Sequence, residues 1–263
     1  TDRVRREVEA LGLMAAALPT SPAGEVVDVD LPRIAVYSTW MNTEKVGWVR
    51  LAFDRFEVPY DLIYKDQAKQ GDLRAKYDVI VMPHQTSSGK SIVYEQPKAR
   101  RALPNRKNDR SKTFGMYGET DDVRGGMGLE GAAEFQEFVE GGGVLMTLGV
   151  ASYFPADFGI ARGVEAQRTQ GNFYAPGPVI QAEIVQPTHP IFYGYEGKML
   201  PVRWADGPLL QVPDPNSPMV AFTGTSADRP VTLMRFPGGA ANVLSGLMRE
   251  PDQVRNRPAI VDA

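Results

Sequence analysis

The chain has two histidines and no cysteine, and these limit its chemistry. His84 and His189 lie far apart, and neither stands in a spacing such as H-x-x-E or H-E-x-x-H. A zinc site built from this chain alone is therefore not expected. Without a thiol there is no disulfide, cysteine nucleophile, iron–sulfur cluster or zinc ribbon. His84 follows Pro83 at the end of the apolar run Asp78-Val79-Ile80-Val81-Met82, with Gln85, Ser87 and Ser88 after it. In open α/β sheets ligands sit beyond the carboxyl ends of the strands, so this is where a site would form. The plainer use of such a histidine is to cap its strand or bond a loop carbonyl. Ser38, Trp40 and Glu44 occupy the corresponding end of an earlier run, Arg33 to Ser38. Acyl transfer by a nucleophile elbow needs Ser or Cys at the apex of a strand-to-helix turn. In Leu148-Gly149-Val150-Ala151-Ser152 the apex is Val150, and Ser152 comes two residues late. The expected pocket is thus Ser38, Trp40, Glu44, His84, Gln85, Gly149 and Val150, with no catalytic residue and no metal ligand. A minor hydrolase using His84 with Ser87 stays open as a third reading. His189, between Pro187 and Pro190, reads as a turn residue.

The elements that would position these residues follow from hydrophobic spacing. With 263 residues, 43% hydrophobic and 23% charged, the chain is long enough for one large or two small domains. A net charge of −3 gives no general attraction to nucleic acid or anionic membranes. No apolar run approaches the roughly 20 residues that span a bilayer, and the first residues do not read as a signal peptide. Residues 3 to 18 read as an amphipathic helix with Val4, Val8, Leu11 and Leu18 on one side, and Pro19 to Gly24 as a linker.

From Pro32 onward, short apolar strands alternate with helices. Strands are expected at Arg33–Ser38, Tyr60–Tyr64, Asp78–Met82 and Gly143–Leu148. Between them come a helix from Glu44 to Phe56 anchored by Val46, Val49, Leu51, Phe53 and Phe56, a polar helix or turn from Gln67 to Lys76, and a helix from Leu129 to Glu140. This alternation implies an α/β fold: a three-layer, doubly wound parallel sheet of flavodoxin-like or Rossmann-like type, covered on both faces. After Phe158 the helical signal fades. Strands expected at Val179–Ile184, Leu209–Val212, Val220–Thr223, Val231–Phe236 and Val243–Leu247 make a β-rich second half packed on the same sheet.

Gly126-Met127-Gly128-Leu129-Glu130-Gly131 matches G-x-G-x-x-G, but no strand leads directly into it, so a turn and helix start is the expected use. Ahead of it, Lys90 to Lys112 carries eight basic residues against Glu95 and Asp109, a local charge of +6, followed by Glu119, Asp121 and Asp122. An irregular segment this long is functional or mobile as a rule. Its basic part is expected to pair with its acidic part or a neighbouring subunit, or to dock on an acidic surface.

Four segments, Pro32–Tyr37, Gly47–Arg50, Gly71–Val81 and Phe138–Gly143, together resemble a domain at the C-terminal end of bacterial zinc carboxypeptidase-like proteins. Asn172–Gly177, Thr188–Pro190, Leu244–Gly246 and Pro258–Asp262 fit the same family, so the resemblance covers most of residues 30–263. It implies a class I glutamine amidotransferase-like domain at residues 31–263, truncated at its C-terminus, preceded by a helix and linker at 1–30. Both ends of the chain read as cut. The resemblance further implies a non-catalytic accessory domain of a secreted or periplasmic metallopeptidase, a carboxypeptidase A-like hydrolase. On that resemblance the zinc and the peptidase domain would lie upstream of Thr1, and no cofactor is expected in this chain. The expected partners are that upstream domain and a second copy in a homo-oligomer, with no nucleic acid and no membrane. The amidotransferase nucleophile cannot be carried over, because Val150 stands where active relatives have cysteine. The alternative is a module that binds a sugar or an amino acid at the strand ends.

Overall fold

The computed structural model describes residues 2–10, 19–20, 30–41, 43–85, 87–204, 206–212, 229–238 and 242–263. The chain divides into two compact units, Thr1–Leu31 and Pro32–Ala263. In the first, helix α1 (Asp2–Ala10) buries none of its residues. The rest of the helix expected over residues 3–18, and residues 21–24 of the linker, lie outside the described residues.

In the second unit, β1 (Ile34–Tyr37), β2 (Asp61–Ile63), β3 (Val79–Met82) and β4 (Val144–Thr147) form a parallel sheet in the order β2-β1-β3-β4. Adjacent residues of each strand serve opposite faces of the sheet. Ala35, Tyr37, Ile80 and Met82 pack against α3 (Lys65–Gln70), α4 (Leu73–Lys76), α5 (Gly89–Tyr94), α6 (Gly128–Glu140) and α7 (Tyr153–Asp157). Phe135 of α6 lies at the centre of this core, edge-on to Tyr37 at 5.5 Å and to Phe154 at 5.6 Å. Val36 and Val81 point the other way, onto Val46, Val49 and Phe53 of α2 (Glu44–Arg55).

Coverage of that second face is incomplete. Val144 and Met146 of β4, and Leu148 just beyond it, are exposed, because α2 reaches β1 and β3 but not the edge strand. The expectation of a sheet covered on both faces therefore fails at β4. Two of the expected anchors of α2 also face water: Leu51 lies across the helix from Val46, Val49 and Phe53, and Phe56 lies beyond its last turn. Helix α5 is an addition, hidden in sequence by its six residues and started by Ser88, whose side chain accepts from the Ser91 N–H. The polar stretch before β3 is two helices, α3 and α4, parted by Gly71 and Asp72 at positive φ.

Beyond α7 the chain builds its own sheet and does not extend the parallel one. Strand β6 (Val179–Ile184) pairs along its length with β7 (Met199–Arg203); its other edge is shared by β10 (Val243–Ser245) and β9 (Val231–Arg235), and β11 (Pro258–Asp262) flanks β9. A separate ribbon joins β5 (Glu165–Gln167) to β8 (Leu209–Gln211). Alternate residues of β6 are buried, as suits an antiparallel sheet with one solvated face. The buried side joins Trp204, Leu233 and Phe236 in a core distinct from that of the parallel sheet. The strand expected at Val220–Thr223 lies outside the described residues.

The basic segment leaves the end of α5 and returns beside it. Gly125 N–H donates to the Gln96 carbonyl (2.8 Å), Gly126 N–H to that of Tyr94 (3.0 Å), and Asn105 pairs with Thr120. Arg106 meets Asp121 at 2.7 Å, so basic and acidic portions of the excursion pair with each other at that point. The glycine motif serves packing: a Cβ on Gly126 would sit 2.2 Å from the Val93 carbonyl oxygen. Among the described residues no helix is long and apolar enough to cross a membrane.

Candidate functional site

In the strand order β2-β1-β3-β4 the winding reverses between β1 and β3, and the strand ends there form the usual ligand crevice. Here Gln85 fills it. Only 1% exposed, its side-chain carbonyl accepts from the Thr39 N–H at 2.7 Å and its amide donates to the Tyr37 carbonyl at 3.2 Å. Ser38 is buried beside it, its N–H donating to the Ile63 carbonyl and its hydroxyl to that of Thr39. Trp40 stacks on Tyr64 at 3.8 Å, and Gly118 of the basic excursion lies against both rings. Glu44 faces solvent, its side chain 84% exposed. None of Ser38, Trp40, Glu44 and Gln85 lines the cavity that His84 and Val150 help to form.

His84 and Val150 do meet, one strand further along. The Val150 N–H donates to Nδ1 of His84 at 3.3 Å, which places the proton of the neutral ring on Nε2. Gly149 adopts φ 57°, and the backbone of Gly207 passes so close that a Cβ there would touch Gly149 Cα at 3.4 Å. Above this contact opens a cavity of about 400 Å³ between the ends of β3 and β4 and the antiparallel half. Its polar groups are His84, Ser87, Arg168, Thr169 and Asp206; its rings are Tyr153, Phe173, Tyr174 and Trp204. Trp204 is held edge-on by Phe173 (5.9 Å) and Phe236 (5.5 Å). The Arg168 guanidinium lies 5.4 Å from the centre of the Tyr153 ring, in cation–π range. Burial raises Tyr153 and Asp157 above their ordinary values, and the charge of Arg168 opposes both shifts.

These groups suit binding better than attack. Val150 brings no nucleophile, and its N–H, the kind of amide an elbow offers to an oxyanion, is engaged by His84. Ser152 turns inward, donating to the Thr147 carbonyl at 3.3 Å, and Ser87 Oγ lies 3.4 Å from Ser91 Oγ. His189 caps a short 3-10 turn and faces Asp262, away from this cavity. Among the described residues no group of three or more His, Asp or Glu is placed to hold a metal ion. A larger hollow of about 640 Å³ beside α6 lacks histidine, and its Glu140 and Arg162 pair at 3.7 Å.

No family model matches the sequence, and no curated protein does. Among solved structures, the chain is similar to a ThuA-like protein from Bacteroides uniformis, at 14% identity and a TM-score of 0.43 over 87% of this chain and 79% of that one. It is also similar to a cytoplasmic protein from Salmonella typhimurium, at 15% identity and a TM-score of 0.35 over 66% and 75% of the two chains.

Of the residues that line this cavity, sequence reasoning named His84 and Ser87 at the end of their strand and Val150 at the apex of the elbow; Gly149 lies beside Val150 without lining the cavity. Sequence reasoning missed Tyr153, Arg168, Phe173, Tyr174, Trp204 and Asp206, because only folding brings residues 168–175 and 204–207 against the β3 and β4 ends. A trace of them was present as the aromatic pair Phe173-Tyr174 and the lone Trp204, in a half otherwise read for strands.

Proposed function

We propose that this chain is a non-hydrolytic, small-molecule-binding module of class I glutamine amidotransferase-like type, taking a sugar or an amino acid between the β3–β4 ends and the antiparallel half. The observation that carries this reading is the convergence of four aromatic rings, one guanidinium and one carboxylate on a cavity of about 400 Å³. That volume falls in the range of small-molecule sites, which combine apolar walls with a few placed polar groups. Rings receive the C–H face of a sugar or an apolar side chain; Arg168 and Asp206 present opposite charges to hydroxyls or to an amino acid's carboxylate and ammonium. The fold assignment is supported by the sequence resemblance and by the strand order. This reading stands ahead of the peptidase-accessory role, because every group it needs belongs to this chain. The accessory role is supported by the resemblance alone, and a secreted or periplasmic location goes with it.

A thermal-shift screen of neutral mono- and disaccharides, uronic acids and amino acids tests the proposal. A ligand at 100 times its Kd stabilises the folded state by about 2.7 kcal/mol, enough to raise Tm by several degrees. Arg168→Ala and Tyr174→Ala alter exposed side chains and should weaken that ligand at least tenfold while leaving the unliganded Tm in place. No shift with any compound, or equal shifts in both variants, contradicts the reading.

A further inference from the structure

Glu95 is the residue from which the basic excursion departs, and its environment is unusual. It follows α5 with φ 47°, a backbone region that residues with side chains seldom occupy. Both carboxyl oxygens are buried, and the one donor turned toward them is the equally buried Thr39 hydroxyl, which favours the ionised form but is outweighed by burial; the Tyr37 hydroxyl is buried nearby. The return end of the excursion is treated differently. Lys65 of α3, 5% exposed, donates its ammonium protons to the carbonyls of Asp122 (2.6 Å), Gly125 (2.8 Å) and Arg124. Lys65 is the cation whose charge reaches Glu95, and Tyr37 of β1 is its other ionisable neighbour. Asp66, Lys98 and Asp122 surround Lys65, and Asp66 accepts from Thr120 of the excursion at 3.1 Å.

A neutral carboxyl can remain in such a place; a buried carboxylate with a single hydroxyl beside it is disfavoured there. Once ionised, Glu95 must either draw the Lys65 ammonium from its three carbonyls or move out to water, and each route loosens one end of the excursion. We propose that the proton on Glu95 seats residues 96–126 over the ends of β1 and β2, and that its loss to solvent releases them and uncovers the crevice at Ser38, Trp40 and Gln85. Burial lifts the Glu95 carboxyl from its ordinary 4.5 to about 7, which places the switch near neutral pH. This inference is independent of the binding reading, because none of its groups lines the β3–β4 cavity.

Hydrogen exchange on the full chain at about pH 6 and about pH 8, corrected for intrinsic rates and referred to α6, tests it. Protection over 96–126 should fall at least fivefold between the two conditions in the wild type and stay constant in Glu95→Gln, which keeps the shape and cannot ionise. Equal wild-type protection at both conditions, or the same loss in Glu95→Gln, overturns the proposal. Should that variant fail to fold, the carboxyl carbon of Glu95 in the wild type decides: titration near 7 supports the switch, and titration near the ordinary 4.5 removes it.

Discussion

At the lower edge of the parallel sheet, Arg33 and Arg74 both close on Asp78, each at 2.8 Å, with the Arg33 N–H adding a third donor at 2.9 Å. These bonds hold the Asp78 carboxyl well below its ordinary 3.8. A depressed carboxyl stabilises the fold fully above its unfolded value, and the benefit is lost as pH falls toward the folded one. Arg33→Ala should therefore unfold at a higher pH in an acid titration followed by circular dichroism, and added salt should narrow the gap, since the pair is partly exposed. Glu95 works in the opposite sense. Between 4.5 and about 7 its folded form binds more protons than the unfolded chain, so stability should fall as pH rises through that window. Denaturant melts across it should show the slope in the wild type and a flatter profile in Glu95→Gln. Gly126→Ala is expected to lose about 2 kcal/mol or more, because its Cβ meets the backbone oxygen of Val93, which has no soft way to yield.

Among the elements, α6 contributes most to the core of the parallel sheet through Phe135, which is 0% exposed and touches rings on both β1 and α7. Phe135→Ala should cost about 3–5 kcal/mol, measured by urea unfolding. Trp48→Ala and Leu51→Ala, on the exposed side of α2, should stay within about 0.5 kcal/mol of the wild type. The contrast shows what hydrophobic spacing could and could not say. Strands β1 and β3 were legible as continuous apolar runs because both faces are buried, and α6 because Ala132, Phe135 and Phe138 recur on one side. Leu51 and Phe56 misled because residue type, without the angle around the helix, does not name the face. Helix α5 was too short to show a period, and β7 carries Pro201 in its middle, which reads as a break. Strand β11 opens on Pro258, and its residues entered the sequence reading only through the resemblance, not as a strand.

For the whole molecule, the rule that ligands sit beyond parallel strand ends points first to the β1–β3 interval, whereas the proposed site lies one interval along the same edge of the sheet. Gln85 plugs the β1–β3 position, and the basic excursion covers it through Gly118 on Trp40 and Tyr64. The open position lies at β3–β4, where the second half adds the walls. No spacing rule links His84 to Trp204; only the tertiary structure does. The three tryptophans occupy distinct places: Trp204 in the cavity wall, Trp40 under the excursion and Trp48 on the outer side of α2. Their indole N–H signals in a nitrogen-15-labelled sample therefore give the most direct test of the proposed binding site. Titration with the sugars and amino acids of the screen should move the Trp204 signal saturably with at least one compound and leave that of Trp48 in place. A saturable response at Trp48 or Trp40 with Trp204 unmoved, or no saturable response to any compound, would contradict the account.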